Sequence, residues 1–131
     1  YEALAGIEAA ARFLLEEGMD RVAAAEAQVF EPLLTGLQSI AGVKVFGPQG
    51  MAGRTPTAAF TVRGVAPVDV SKALAAEKVA VWDGHNYAVE VVDSLGLAAD
   101  GGVVRAGLAR YIGDDEVQRL LTVIDRLATR G

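Results

Sequence analysis

The spacing of apolar residues predicts helices at both ends of this chain. Apolar side chains recur every three or four residues from Glu2 to Glu17, as they do along one face of a helix. A second such stripe runs from Val22 to Ile40. It passes through Pro32 without losing its period, which favours one kinked helix over two separate helices. A third stripe, from Val117 to Leu127, follows two acidic residues that suit the first turn of a helix.

Between these helices the pattern changes to short apolar runs that are typical of strands. The runs are Val43–Phe46, Thr57–Val62, a third that begins at Val79, and Val103–Ala109. A helix from Pro67 to about Glu77 separates the second run from the third, and a short helix between Tyr87 and Leu97 separates the third from the fourth. This order predicts an α+β fold in two layers, in which a small mixed or antiparallel sheet of about four strands is covered by helices.

Composition excludes several classes of function. A chain of 131 residues suits one domain with a sizeable core. The net charge of −5 is spread along the chain without a basic stripe, so we expect neither nucleic acid nor a membrane surface as a partner. The chain has no cysteine, which excludes disulfides and a thiol nucleophile here. No apolar run approaches the length of a membrane span, and we expect a cytoplasmic location.

The third apolar run leads into a cluster of polar side chains. Asp83-Gly84 predicts a turn because both residues tolerate a positive φ. The three residues that follow can all donate or accept hydrogen bonds; they are His85, Asn86 and Tyr87. Two interpretations stay open at this point. The cluster is either a binding loop on a rigid scaffold, or a hydrated surface loop above a core tryptophan, Trp82.

Two arginines have unusual sequence surroundings. Arg105 lies in the middle of an apolar strand, where it either reaches solvent or binds a planar anion such as a carboxylate. Arg54 follows glycines 50 and 53, a combination that could cradle an anion, although the spacing matches no phosphate-binding loop. No pair of carboxylates suggests an acid–base couple.

Three segments, in this order, carry a resemblance to a known family. They are RTPTAAFTV (54–62), VAVWDGHNYA (79–88) and RAGLARY (105–111). Together they resemble the C-terminal, small domain of the cysteine desulfurase-like class V aminotransferases, which are pyridoxal-phosphate enzymes of the aspartate aminotransferase fold. The resemblance implies that residues 42–131 form this small domain, and that residues 1–41 are a helical segment linking it to a large domain absent from this chain.

The resemblance also implies roles for particular residues. Arg105 matches the family's strand arginine, which grips the substrate α-carboxylate, while His85, Asn86 and Tyr87 match the active-site loop. In true desulfurases this loop ends with two histidines and the persulfide-forming cysteine, and Tyr87 stands at that cysteine position. A phenol cannot carry a persulfide, so the resemblance favours a desulfurase-like aminotransferase, lyase or epimerase.

Cofactor and partners follow from the same resemblance. Pyridoxal phosphate would be bound mainly by the large domain, because none of Lys44, Lys72 and Lys78 matches the family's Schiff-base lysine. We therefore expect this piece alone to be inactive. Its expected partners are an amino-acid substrate, the large domain of the same chain and a second copy in a homodimer.

A different class of function stays open. The chain could be a self-standing α+β module for ligand binding or dimerisation, without a cofactor. An exposed apolar face at Leu4, Ile7 and Leu14 would favour the domain of a larger enzyme, since such a face indicates missing contacts. A fully buried first helix would favour the independent module.

Overall fold

A computed structural model describes residues 1–109 and 111–130. In chain order its elements are α1 (Glu2–Glu17), α2 (Met19–Ser39), β1 (Val43–Phe46), β2 (Thr57–Val62), α3 (Pro67–Ala76), β3 (Trp82–Gly84), α4 (Val89–Ser94), β4 (Val103–Gly107) and α5 (Asp114–Ala128). The predicted α+β fold is confirmed. No helix in the described part of the chain is long and apolar enough to cross a membrane.

The four strands form one antiparallel sheet in the order β1-β2-β4-β3. Because β4 is inserted between β2 and β3, the last strand of the chain lies near the middle of the sheet. Arg105 of β4 pairs with Ala59 of β2 on one side and with Trp82 of β3 on the other. The register therefore fixes what surrounds the arginine.

One face of the sheet is covered by helices α2, α3 and α5. Alternate residues of β2 point into this layer, since Ala58, Phe60 and Val62 are buried while their neighbours are only partly so. The helices contribute large apolar side chains to the same core, chiefly Phe30, Leu33, Leu37, Val70, Leu74, Val117, Leu120 and Ile124. Alternation along β4 buries Val104 and Ala106 here and sends Arg105 to the opposite face.

Helix α2 is continuous through Pro32, which confirms one helix rather than two. The spacing predicted a stripe of Val22, Ala25, Val29, Leu33, Leu37 and Ile40. In the structure Ala25 is exposed, and Phe30 and Leu34 are buried although they lie outside that stripe. Pro67 occupies the first turn of α3, as expected from its missing N–H group.

Helix α1 has the predicted bounds, yet none of its residues is buried. Leu4 and Ile7 are 68% and 66% exposed, and Leu14 is only partly buried. The one element that α1 contacts extensively, within residues 1–109 and 111–130, is α2. The apolar face predicted from its spacing is therefore present and largely uncovered.

Several local predictions around β3 are wrong. Asp83-Gly84 does not turn the chain but pairs with Val104 and Val103 as the end of β3, because pairing with β4 outweighs the local turn preference. Trp82 is no core residue and is 60% exposed, since it lies on the same face as Arg105. The short helix predicted between Tyr87 and Leu97 is present as α4 (Val89–Ser94), whereas β4 ends at Gly107 rather than Ala109.

Candidate functional site

The face of the sheet that the core helices leave open carries Arg105. Between this face and α4 lies a cavity of about 170 Å³. Three predicted site residues line it: Arg105, His85 and Asn86. The other lining residues are apolar: Phe46, Ala59, Ala88, Val91, Val92, Leu95 and Val103. The fold thus brings the strand arginine and most of the polar loop to one place.

Arg105 borders a second hollow on its other side. That hollow, of about 380 Å³, is lined by Trp82, Val81 and Thr57 among others. No ion pair joins Arg105 to a carboxylate of the described residues. The guanidinium, which is exposed here, therefore keeps its donors for a partner outside this set.

The polar loop is a tight turn with an unusual backbone. Asn86 and Tyr87 both have positive φ, 51° and 62°, and the Ala88 N–H donates to the His85 carbonyl at 2.8 Å. Positive φ at both central residues is the mirror-image class of β-turn, which suits asparagine and glycine but is strained for tyrosine. Such strain occurs preferentially at functional sites.

Two side chains of the turn form hydrogen bonds with the nearby backbone. The Tyr87 N–H donates to His85 Nδ1 at 3.1 Å, so a neutral His85 ring carries its proton on Nε2. Asn86 Nδ2 donates to the Gly84 carbonyl at 3.1 Å. Asn86 Oδ1, by contrast, is buried and has no hydrogen-bond partner in the described structure. A buried acceptor without a donor is uncommon, and with under 1 Å² of accessible surface this oxygen is not exposed to the cavity.

Tyr87 does not line the cavity with the other three. Its side chain is 93% exposed and borders a neighbouring hollow with Val89 and Glu90. It meets the His85 ring edge to face, with 6.3 Å between ring centres and 77° between planes. The phenol therefore lies at the rim of the site rather than in it.

Arg54 does not cradle an anion. It is half-buried, and its guanidinium donates to the carbonyls of Phe46 at 3.1 Å, Pro48 at 3.1 Å and Thr57 at 3.0 Å. It also lies over the Phe30 ring, 5.9 Å from its centre. These bonds use the donors that an anion would need, so Arg54 fixes the loop between β1 and β2.

The lysines of the chain lie away from the cavity beside Arg105. Lys44 is exposed on β1 above the Phe46 ring, Lys72 pairs with Asp69 on α3 at 3.6 Å, and Lys78 follows α3 on the surface. None of the three lines the cavity beside Arg105.

The apolar walls of the cavity were not recognised from the sequence. Phe46 shares the open face with Arg105 because it pairs with Ala59, which pairs with Arg105 in turn. Val91 of α4 and Leu95, which directly follows this helix, also line the cavity. The alternation of β1, in which Lys44 is exposed, was the one signal that could have placed Phe46 on this face.

Comparison with known proteins identifies the family to which this chain belongs. Residues 2–120 match the family described as "Aminotransferase class-V". The chain belongs to the class-V aminotransferases. Enzymes of this family depend on pyridoxal phosphate. The resemblance proposed from the three segments is confirmed.

The similar proteins are cysteine desulfurases. The chain is 37% identical over 121 residues to "Probable cysteine desulfurase 2" of Mycobacterium leprae, covering 92% of this chain and 28% of the relative. It is 34% identical over the same length to a "Probable cysteine desulfurase" of Pseudomonas putida. The structure of a cysteine desulfurase from Thermococcus onnurineus NA1 superposes with a TM-score of 0.82 at 28% identity, covering 92% of this chain and 29% of that one.

The match covers only part of the length of each relative. It spans under a third of the desulfurases it matches, and it corresponds to their C-terminal portion, the small domain. A cysteine desulfurase of Escherichia coli shares the fold with a TM-score of 0.79 at 22% identity.

Proposed function

We propose that this chain is the small domain of a pyridoxal-phosphate enzyme acting on an amino acid, and that Arg105 binds the substrate carboxylate. The observation that carries the proposal is the shared cavity: Arg105 from β4 meets His85 and Asn86 from the turn after β3. The guanidinium is free of carboxylate partners among the described residues. Its planar fork matches a carboxylate with two parallel hydrogen bonds, which a lysine cannot make.

The chemistry would be divided between the cofactor and this domain. Pyridoxal phosphate, held mainly by the rest of the enzyme, supplies the electron sink for amino-acid chemistry. Arg105 would orient the substrate through its carboxylate. The His85–Ala88 turn would close one side of the site, with His85 presenting Nε2–H and Tyr87 at the rim. Because Arg105 is exposed here, its bond to a carboxylate gains strength only when the rest of the enzyme excludes water.

The tyrosine at position 87 argues for chemistry other than desulfuration. This chain has no cysteine to receive a sulfur atom, and the phenol of Tyr87 cannot form a persulfide. We therefore propose transamination, elimination or epimerisation of an amino acid.

Residues 1–41 would link this domain to the large domain of the same enzyme. The uncovered apolar face of α1 supports this role over that of an independent module, because a self-standing domain rarely leaves such a face in water. The family suggests that the complete enzyme is a homodimer.

The substitution Arg105→Lys in the full-length gene product tests the proposal. It keeps the charge but loses the paired hydrogen bonds, so we expect the KM for amino acids to rise roughly tenfold or more. Arg63→Lys, at an exposed position after β2, is the matched control and should leave KM unchanged. Steady-state assays of keto-acid and sulfide release give both KM and the reaction. An unchanged KM in Arg105→Lys would remove the proposed role, and sulfide release would contradict the proposed chemistry.

A further inference from the structure

A row of four side chains crosses the open face of the sheet at the level of Arg105. Phe46 of β1 pairs with Ala59 of β2, which in turn pairs with Arg105 of β4. On its other side Arg105 pairs with Trp82 of β3. Residues that pair directly across antiparallel strands share one face of the sheet, with their β-carbons about 4.5–5.5 Å apart. Arg105 therefore stands between a methyl group and an indole.

No charged group among the described residues holds the Arg105 side chain in one orientation. The guanidinium forms no ion pair with a carboxylate of this set, and no acidic residue lines either of the two hollows that it borders. A long arginine side chain has many rotamers, and binding is weakened when that freedom is lost at the moment of contact. The packing of neighbouring side chains is therefore what can restrict the guanidinium in advance.

Trp82 is the one large side chain directly beside Arg105 in this row. Ala59, on the other side, is too small to restrict an arginine, and Phe46 lies two strands away, at roughly 10 Å. Trp82 and Arg105 together border the hollow of about 380 Å³. The indole is mostly exposed and lies outside the core cluster, so core packing does not account for a tryptophan at this position.

We infer that Trp82 is a positioning residue for Arg105. Its indole blocks the orientations of the guanidinium on the β3 side, and so prepares the paired hydrogen bonds to the substrate carboxylate. This inference rests on the proposed function, since Trp82 acts only through the Arg105 clamp. Restriction in advance lowers the entropy lost on binding, and it does so equally for the bound substrate and for the transition state. The effect therefore belongs in KM and not in kcat.

Substitutions of Trp82 in the cofactor-loaded full-length protein test this role. The assays use whichever of the common amino acids gives the unaltered enzyme its highest kcat/KM. We expect Trp82→Ala to raise KM about threefold to tenfold and to change kcat by less than about twofold. Trp82→Phe keeps an aromatic wall and should restore most of the lost affinity. Tyr111→Ala removes another exposed aromatic side chain, which borders a different hollow, and should leave KM unchanged.

A double-substitution cycle with Arg105→Ala separates positioning of the arginine from direct contact with the substrate. If Trp82 acts through Arg105, then Trp82→Ala should change kcat/KM by less than about twofold once the arginine is absent. An indole that contacts the substrate itself would have its full effect in that background as well, which would overturn the positioning role. Thermal unfolding of every variant shows whether it is folded at the assay temperature.

The outcomes separate this inference from the proposed function. If Arg105→Lys raises KM while Trp82→Ala leaves it unchanged or lowers only the melting temperature, the positioning role is wrong and the carboxylate clamp stands. A folded Trp82→Phe variant that is as impaired as Trp82→Ala also overturns the role given to the aromatic wall. If Arg105→Lys leaves KM unchanged, the proposed function fails and this inference fails with it. A KM effect that phenylalanine restores, and that disappears without Arg105, supports both.

Discussion

Gly102 packs closely against the backbone of Gly84, the residue that directly precedes the polar turn. It is buried, its φ is +89°, and a β-carbon built there would overlap the Gly84 carbonyl group. Gly84 ends β3 and immediately precedes His85. The close approach of the two glycines therefore determines where the turn begins relative to β4.

We expect Gly102→Ala to destabilise the domain by about 3 kcal/mol, from left-handed strain plus an overlap that backbone atoms cannot relieve cheaply. Gly101→Ala is the control: its φ is +87°, but the nearest atom to a built β-carbon is Pro67 Cδ at 3.8 Å. Gly101→Ala should lower the free energy of unfolding by the backbone strain alone, about 1–2 kcal/mol. Urea unfolding of both variants checks the difference, and equal losses would show that the glycine–glycine contact does not matter.

Individual residues were predictable from the sequence where their chemistry conflicted with their surroundings. Arg105 was noticed because a charge in an apolar strand needs an explanation, and alternation along β4 placed it on the open face. The turn at Gly101-Gly102 was not suspected of contacting Gly84, since nothing local records which distant backbone a glycine approaches. For the same reason the anion site proposed at Arg54 was wrong: the carbonyls that occupy its donors come from β1, β2 and the loop between them.

At the scale of elements, the loop between β1 and β2 depends on Arg54. The loop has no strand or helix of its own, and the guanidinium ties carbonyls at both of its ends together. Two of these bonds are part-buried, so removing the donor leaves carbonyls that water reaches poorly.

Arg54→Ala should therefore lower the free energy of unfolding by about 2–3 kcal/mol. Arg63→Ala, at an exposed arginine just beyond β2, should change it by less than about 0.5 kcal/mol. Urea unfolding measures both values, and amide hydrogen exchange shows whether protection is lost first in residues 47–56. A loss shared evenly by the two variants would contradict the role given to Arg54.

Elements with a strong period of their own were predicted to the residue. The bounds of α1, β1 and β2 agree with the structure because each shows an unbroken helical or strand pattern. The third strand was displaced because only Trp82–Gly84 finds partners on β4, while Val79–Val81 are apolar but unpaired in the sheet. Pairing across the sheet, and not local preference, decided which part of that run became a strand.

For the molecule as a whole, the uncovered face of α1 offers a way to distinguish a domain of a larger enzyme from an independent module. Replacing both Leu4 and Ile7 with glutamate should hardly change the melting temperature of the 131-residue chain, because neither residue is buried, and should reduce its self-association. Leu37→Ala, at a fully buried position, is the positive control and should cost about 2–5 kcal/mol.

In the full-length protein the same double substitution should lower the melting temperature, since the apolar face would then be covered by the large domain. Thermal unfolding and light scattering on the two proteins make the comparison. Equal behaviour of the double variant in both would favour the independent module. The sequence predicted the helix and its apolar face but not its packing, because the spacing of apolar residues does not show what covers them.

The turn at His85–Ala88 separates the residues that set its shape from the side chain at its tip. Its shape is set by backbone hydrogen bonds, by the imidazole of His85 and by the amide of Asn86, whereas the side chain of residue 87 projects into solvent and carries no part of the scaffold. Exchange of that side chain costs the fold little. Residue 87 can therefore change in chemical character while the turn keeps its shape, so the chemistry at the rim of the site varies independently of the fold.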